Sequence, residues 1–120
     1  MGSFTMRVQG AESRYGSAAA EASAVLATGR TRVWNVIMHN GNASTRYLLL
    51  FDAASLPIDG TVPNAPPLQI PADGTGSLDL GDGSLFQNGL VAASSSTAQT
   101  LTIGSADALF FANYSKRSIT

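Results

Sequence analysis

Hydrophobic residues in this chain come in short clusters set off by turn-forming residues. The densest cluster is Tyr47-Leu48-Leu49-Leu50-Phe51, which stops at Asp52. Five apolar residues in a row do not alternate. The run therefore reads as a strand covered on both faces, by its own domain or by another chain. Ahead of it, Arg30 to Asn40 carries Val33, Trp34, Val36, Ile37 and Met38, residues suited to a pleated, half-buried surface. Between the two lies Asn40-Gly41-Asn42-Ala43-Ser44, where Asn and Gly tolerate positive φ. The pair is expected to form an antiparallel hairpin with a loop of about four to six residues.

Ala53 to Pro71 holds all five prolines, Pro57, Pro63, Pro66, Pro67 and Pro71. Proline lacks the ladder donor, so this segment is no central strand. It is expected to be a long ordered loop with at most a short edge strand at Leu68 to Ile70. Further strands are expected at Ser77 to Leu80, Leu90 to Ser94, Thr100 to Ile103 and Ala108 to Tyr114. Turns at Asp73 to Gly76, Gly81 to Gly83, Asn88-Gly89 and Gly104-Ser105 separate them. Six or seven short strands at this spacing predict an all-β fold, an antiparallel β-sandwich or small β-barrel, spanning 30–120. Its core is expected around Trp34, Val36, Leu49, Phe51, Leu78, Val91, Leu101, Ile103 and Phe110. The first 29 residues read differently. Ser17 to Ala27 is Ala-rich and weakly amphipathic, which suits a short helix or an extended segment. Residues 1–29 are therefore expected to be an N-terminal arm, with Phe4, Val8, Val25 and Leu26 as its contacts to a partner.

Composition narrows the function. The 120-residue chain is 44% hydrophobic but only 12% charged, about half the usual charged share. Such a surface is covered by neighbours at little desolvation cost. Net charge is −1 and the seven basic residues are scattered, which argues against nucleic-acid binding. No apolar run has the length of a signal sequence or a membrane span, so no membrane association is expected. There is no cysteine, which excludes disulfides and thiolate metal sites.

Little in the chain reads as reactive. His39 is the only histidine and has neither a nucleophile nor further metal ligands beside it, so a structural role at a strand end is expected. Asp73, Asp79 and Asp82 lie among glycines, which suits turns better than a calcium loop. Gly74-Thr75-Gly76 lacks the third glycine and the following helix of a dinucleotide fingerprint. Trp34, Tyr47 and Phe51 could make an aromatic sugar platform, though aromatics in strands are more often core. No enzymatic activity and no cofactor are expected.

One order of motifs does carry a resemblance. His39-Asn40 precedes the Tyr47 to Phe51 strand, and Asp52-Ala53-Ala54-Ser55-Leu56-Pro57, Asp59-Gly60 and Val62-Pro63 follow it. Then come Leu68-Gln69-Ile70-Pro71, Ser77-Leu78-Asp79, Phe86-Gln87-Asn88-Gly89-Leu90-Val91, Ser95-Ser96-Thr97 and Phe110 to Tyr114. From Arg30 to Tyr114 the chain resembles small virion structural proteins of tailed phages and prophages, of the capsid decoration or cement type. The resemblance implies a non-enzymatic protein made in the host cytoplasm and carried on the capsid surface. Its implied partners are the major capsid protein and neighbouring copies of itself. The alternatives are a tail, baseplate or fibre component and, further off, a carbohydrate-binding module. The Pro-rich loop is the expected contact surface, through Leu56, Pro57, Ile58, Val62, Pro63 and Leu68; the alternative is that it folds back over its own sheet and seals an edge strand. Asp52 and Asp59 are expected to fix that loop by accepting backbone N–H bonds.

Overall fold

The computed structural model describes residues 12–116. Eight strands account for most of them: β1 (Glu12–Gly16), β2 (Ser23–Thr28), β3 (Thr31–Asn40), β4 (Arg46–Asp52), β5 (Leu68–Ile70), β6 (Thr75–Phe86), β7 (Gly89–Ser95) and β8 (Ala108–Ser115). They form two four-stranded antiparallel sheets, β1-β8-β3-β6 and β2-β7-β4-β5. The first strand pairs with the last, the second with the seventh, the third with the sixth and the fourth with the fifth. The chain is thus one long antiparallel ribbon folded over on itself. Pairing of β3 with β8 and of β4 with β7 then closes the two sheets. This β-sandwich has the strand order of a jelly roll.

The double-apolar strand has a direct explanation. Leu48 and Leu50 face the inter-sheet core, with Val33, Val36, Met38, Leu90 and Phe110. Leu49 and Phe51 point the other way, into a second cluster with Val91, Ala93 and Leu101 on the outer face of the β2-β7-β4-β5 sheet. β7 is buried along its whole length for the same reason. The covering layer comes from the chain itself, chiefly the β7–β8 connection. That connection carries Leu101 and Ile103, and Ser95 makes a bridge to Ile103.

Several sequence expectations change here. β3 and β4 do not form a hairpin. Their five-residue link, 41–45, has the expected length but carries the chain from one sheet to the other. Each strand has its own apolar inner face, and opposing those faces buries more than placing them side by side. Thr100 to Ile103 serves as a lid and is not one of the eight strands. Ser77–Leu80 and Leu85-Phe86 merge into one β6, whose residues between Asp79 and Ser84 bulge out opposite Trp34, with Gly81 and Gly83 at positive φ. Of the expected core, Val36, Leu49, Phe51, Val91, Leu101 and Phe110 are buried. Leu78 and Ile103 are half-buried and pack against the two clusters, and Trp34 is half-buried in neither.

The second half of the expected arm is sandwich. Residues 12–16 and 23–28 each give a strand to one of the two sheets. The link between them is tied to β8, where Glu21 and Ala108 exchange both backbone hydrogen bonds (2.8 and 3.0 Å). Tyr15 and Ser17 both donate hydroxyl hydrogen bonds to the Glu21 carboxylate. Alanine favours helix only weakly once a sheet edge offers it backbone partners and a dry face.

Candidate functional site

The prominent surface feature is the loop between β4 and β5. Its backbone is bound to its own domain at several points. Gly60 N–H donates to the Leu101 carbonyl (2.7 Å), and Leu101 N–H donates to that of Thr61 (2.9 Å). A turn closes over Ile58 to Thr61, with Thr61 Oγ1 donating to the Ile58 carbonyl (2.7 Å) and Gly60 at φ 95°. The Asp59 carboxylate accepts Ile103 N–H (3.1 Å). At the loop's base, Asn64 N–H donates to the Leu50 carbonyl (2.8 Å), and Asp52 N–H donates to Asn64 Oδ1 (2.8 Å). Asp52 spends its two carboxylate oxygens on Gln87 N–H and Asn88 N–H (3.0 and 2.7 Å), which pins the β6–β7 turn beside the loop. Both aspartates therefore accept backbone N–H bonds, as their sequence context suggested.

This anchoring leaves apolar side chains in solvent. Ile58 is 82% exposed and Val62 67%, and Leu56 is exposed to a lesser degree. Pro57 and Pro63 are half-buried beside them. Leu68 lies on β5 and packs on the inter-sheet core, so it belongs to the base and not to the tip. Val25 is exposed and sits opposite Val91, a member of the outer cluster that Leu101 covers. Residues opposite one another in a pair share a face, so Val25 lies on the same side of the sandwich as the loop. Leu26 points the other way and is a core residue. Phe4 and Val8 lie outside the described residues.

The opposite face of the molecule is different. On the outer side of the β1-β8-β3-β6 sheet, Phe111 is exposed, with half-buried Ile37 opposite it. Asn113 Nδ2 donates to Asn35 Oδ1 in the next pair (2.9 Å), and His39 Nδ1 is 2.9 Å from Thr75 Oγ1. His39 thus sits near the end of β3 in a cross-strand polar pair. Trp34 belongs to this sheet, whereas Tyr47 and Phe51 belong to the other and Phe51 is buried, so the three form no platform.

An open depression of about 340 Å³ is lined by Asp52, Asn64, Ala65, Ser84, Leu85 and Phe86. Its one carboxylate and its one amide oxygen are spent on backbone N–H groups. Among the described residues, no three His, Cys, Asp or Glu side chains gather so as to hold a metal ion. The Asp79 carboxylate accepts Gly81 N–H (3.0 Å), and Asp73 occupies a turn at φ 55°.

No protein-family model and no curated protein sequence matches the chain. Among solved structures, it is similar to the coat protein of Tobacco streak virus, at 14% identity and a TM-score of 0.39, over 98% of this chain and 94% of that one. The dimer of that coat protein matches at 11% identity and a TM-score of 0.37, over 98% and 92%. Neither layout, activity nor assembly passes to this chain from a likeness at this level.

Proposed function

We propose that the protein is a non-enzymatic virion component that binds the outside of an assembled phage capsid and reinforces it. The observation that carries this reading is the β4–β5 loop: a backbone held by its own domain, presenting Ile58 and Val62 to solvent between Pro57 and Pro63. A loop already fixed loses little entropy on docking. Burial of two such side chains contributes about 1.5–3 kcal/mol each, and adjacent exposed apolar residues mark contact surfaces. Low charge, the sandwich of virion-shell and lectin domains and the resemblance of residues 30–114 to phage decoration proteins point the same way. The partner is then the major capsid protein, at junctions present only on the assembled shell.

Ile58→Asp and Val62→Asp test this directly. Both are expected to leave the stability of the isolated protein within about 0.5 kcal/mol, because the side chains are exposed. Both are expected to abolish incorporation into particles. If either variant unfolds the free protein, or is incorporated normally, the loop is not the contact. Copy number separates head from tail. A decoration protein approaches the stoichiometry of the capsid protein in purified particles, and a tens-fold lower count would assign the chain to the tail.

A further inference from the structure

The two outer faces of the sandwich are finished differently. The β2-β7-β4-β5 sheet carries a second apolar cluster, closed over by Leu101. Among the described residues, no such cluster lies on the outer face of the β1-β8-β3-β6 sheet. Phe111 is exposed there, and half-buried Ile37 and Leu109 share the face with it. The Phe111 ring reaches across to β1, where a Cβ on Gly16 would meet its Cδ1 at 3.4 Å. β1 is an edge of this sheet, so the ring fills the space that an edge glycine leaves.

Strand register sets the face in rows. Arg14, Asn113, Asn35 and Asp79 form one row across β1, β8, β3 and β6, and Gly16, Phe111, Ile37 and Ser77 form the next. The first row is amide in its middle, where Asn113 Nδ2 donates to Asn35 Oδ1 (2.9 Å). Its ends are charged, positive at the β1 edge and negative at the β6 edge. Arg14 and Asp79 are both exposed. They stand three strand spacings apart, about 14 Å, which exceeds the screening length of about 8 Å at physiological salt. Among the described residues, the Arg14 side chain has no carboxylate partner. The Asp79 carboxylate accepts Gly81 N–H through one oxygen, which leaves the other for a partner.

A row with opposite charges at its two ends is complementary to itself turned round. A two-fold axis parallel to the strands, placed between β8 and β3, lays one such face on another. It sets Arg14 of each copy against Asp79 of the other, Asn113 against Asn35, and Phe111 against Ile37. We propose that two copies of this chain pair back to back through this face, as an isologous dimer with aligned sheets. Four strands at about 4.8 Å and the eight residues of β8 at about 3.4 Å make a face of roughly 500 Å². A standard interface needs about 800 Å² per partner, so the dimer is reversible and exchanges with monomer. Both β4–β5 loops lie on the far sides of the pair and stay exposed. The inference therefore does not depend on the virion reading.

Sedimentation of the full chain between about 10 μM and about 1 mM is expected to show the mass rising from one chain towards two. The axis makes the Arg14–Asp79 contact twice, so reversing one charge turns two attractions into two repulsions. Arg14→Asp and Asp79→Arg are each expected to weaken the dimer about tenfold at an unchanged melting temperature. The double variant is expected to restore it to within about threefold. Restoration has to come from contact between copies, because within one copy the two side chains are too far apart to couple. Ile58→Asp is expected to leave the dimer intact, which keeps this test apart from that of capsid binding. A chain that stays monomeric at every concentration would overturn the proposal. So would a dimer indifferent to both single reversals, or one that the double variant does not restore. A full chain that is monomeric, yet pairs once residues 2–10 are removed, would assign the face to the chain's own first residues and overturn it too.

Discussion

A single side chain can hold three segments together, and Asn40 does so here. It is fully buried at the end of β3. Its Nδ2 donates to the carbonyls of Ser44, Ile70 and Pro71 (2.9, 3.1 and 3.1 Å), and its Oδ1 accepts Asn42 N–H (2.9 Å). The β3–β4 turn and the β5–β6 link are thereby fixed to the strand. Asn40→Ala strands buried carbonyls without donors and is expected to cost about 2–4 kcal/mol. A lowered denaturant midpoint at unchanged m-value would register the loss, and a change under about 0.5 kcal/mol would contradict this role. Tyr15 makes a second prediction. Burial, then its hydrogen bond to Glu21 and the charge of that carboxylate, raise the phenol above its ordinary value of 10.0. A raised value means that the folded state holds the proton longer than the unfolded state. The contribution to stability is fully present below pH 10 and is lost as pH rises through the folded value. Tyr15→Phe is therefore expected to flatten the decline in stability above pH 10, and parallel declines in the two proteins would count against it.

Among the elements, β4 and the loop after it are one unit. Leu49 and Phe51 would face water on an ordinary outer sheet face, and Leu101 prevents this from a connection that is not itself a sheet strand. The same residue exchanges backbone hydrogen bonds with Gly60 and Thr61. The lid thus dries the outer face and holds the loop that projects Ile58 and Val62. Leu101→Ala is expected to cost about 3 kcal/mol through the cavity it leaves. It is also expected to loosen the loop, seen as faster amide exchange at Gly60. Loss of stability with unchanged exchange at Gly60 would separate lid from loop. Loop docking on its own sheet and loop contact with a partner were rival readings of the sequence. The backbone does the first, and the exposed side chains are what the second requires.

For the molecule as a whole, nested pairing of first strand with last sets the character of the fold. β1 and β8 lie nearly a hundred residues apart in sequence yet pair along the whole of β1. Such contacts cost loop entropy before they stabilise anything, so β1 and β2 depend on the rest of the sandwich. That dependence is why residues 12–28 look like an arm when read alone. The molecule also has two unlike faces, one overlaid by loops that carry exposed aliphatic tips and one an open sheet around Phe111 and the Asn35–Asn113 pair.

Much of this was legible in one dimension. The prolines confined β5 to a short edge, Tyr47 to Phe51 announced a strand covered twice, and turn residues marked most strand ends, because each signal depends on local backbone chemistry. The aspartates at the loop were readable for the same reason. Pairing was not local. Nothing in Arg30 to Asp52 says that its two strands belong to different sheets, since a five-residue link serves a hairpin and a crossover equally well. Nor does an Ala-rich stretch reveal that distant β7 and β8 will offer it backbone partners. Which apolar side chains stay exposed was likewise decided in three dimensions: Leu26 and Val25 are adjacent in sequence, and only the sheet turns one to the core and the other to solvent.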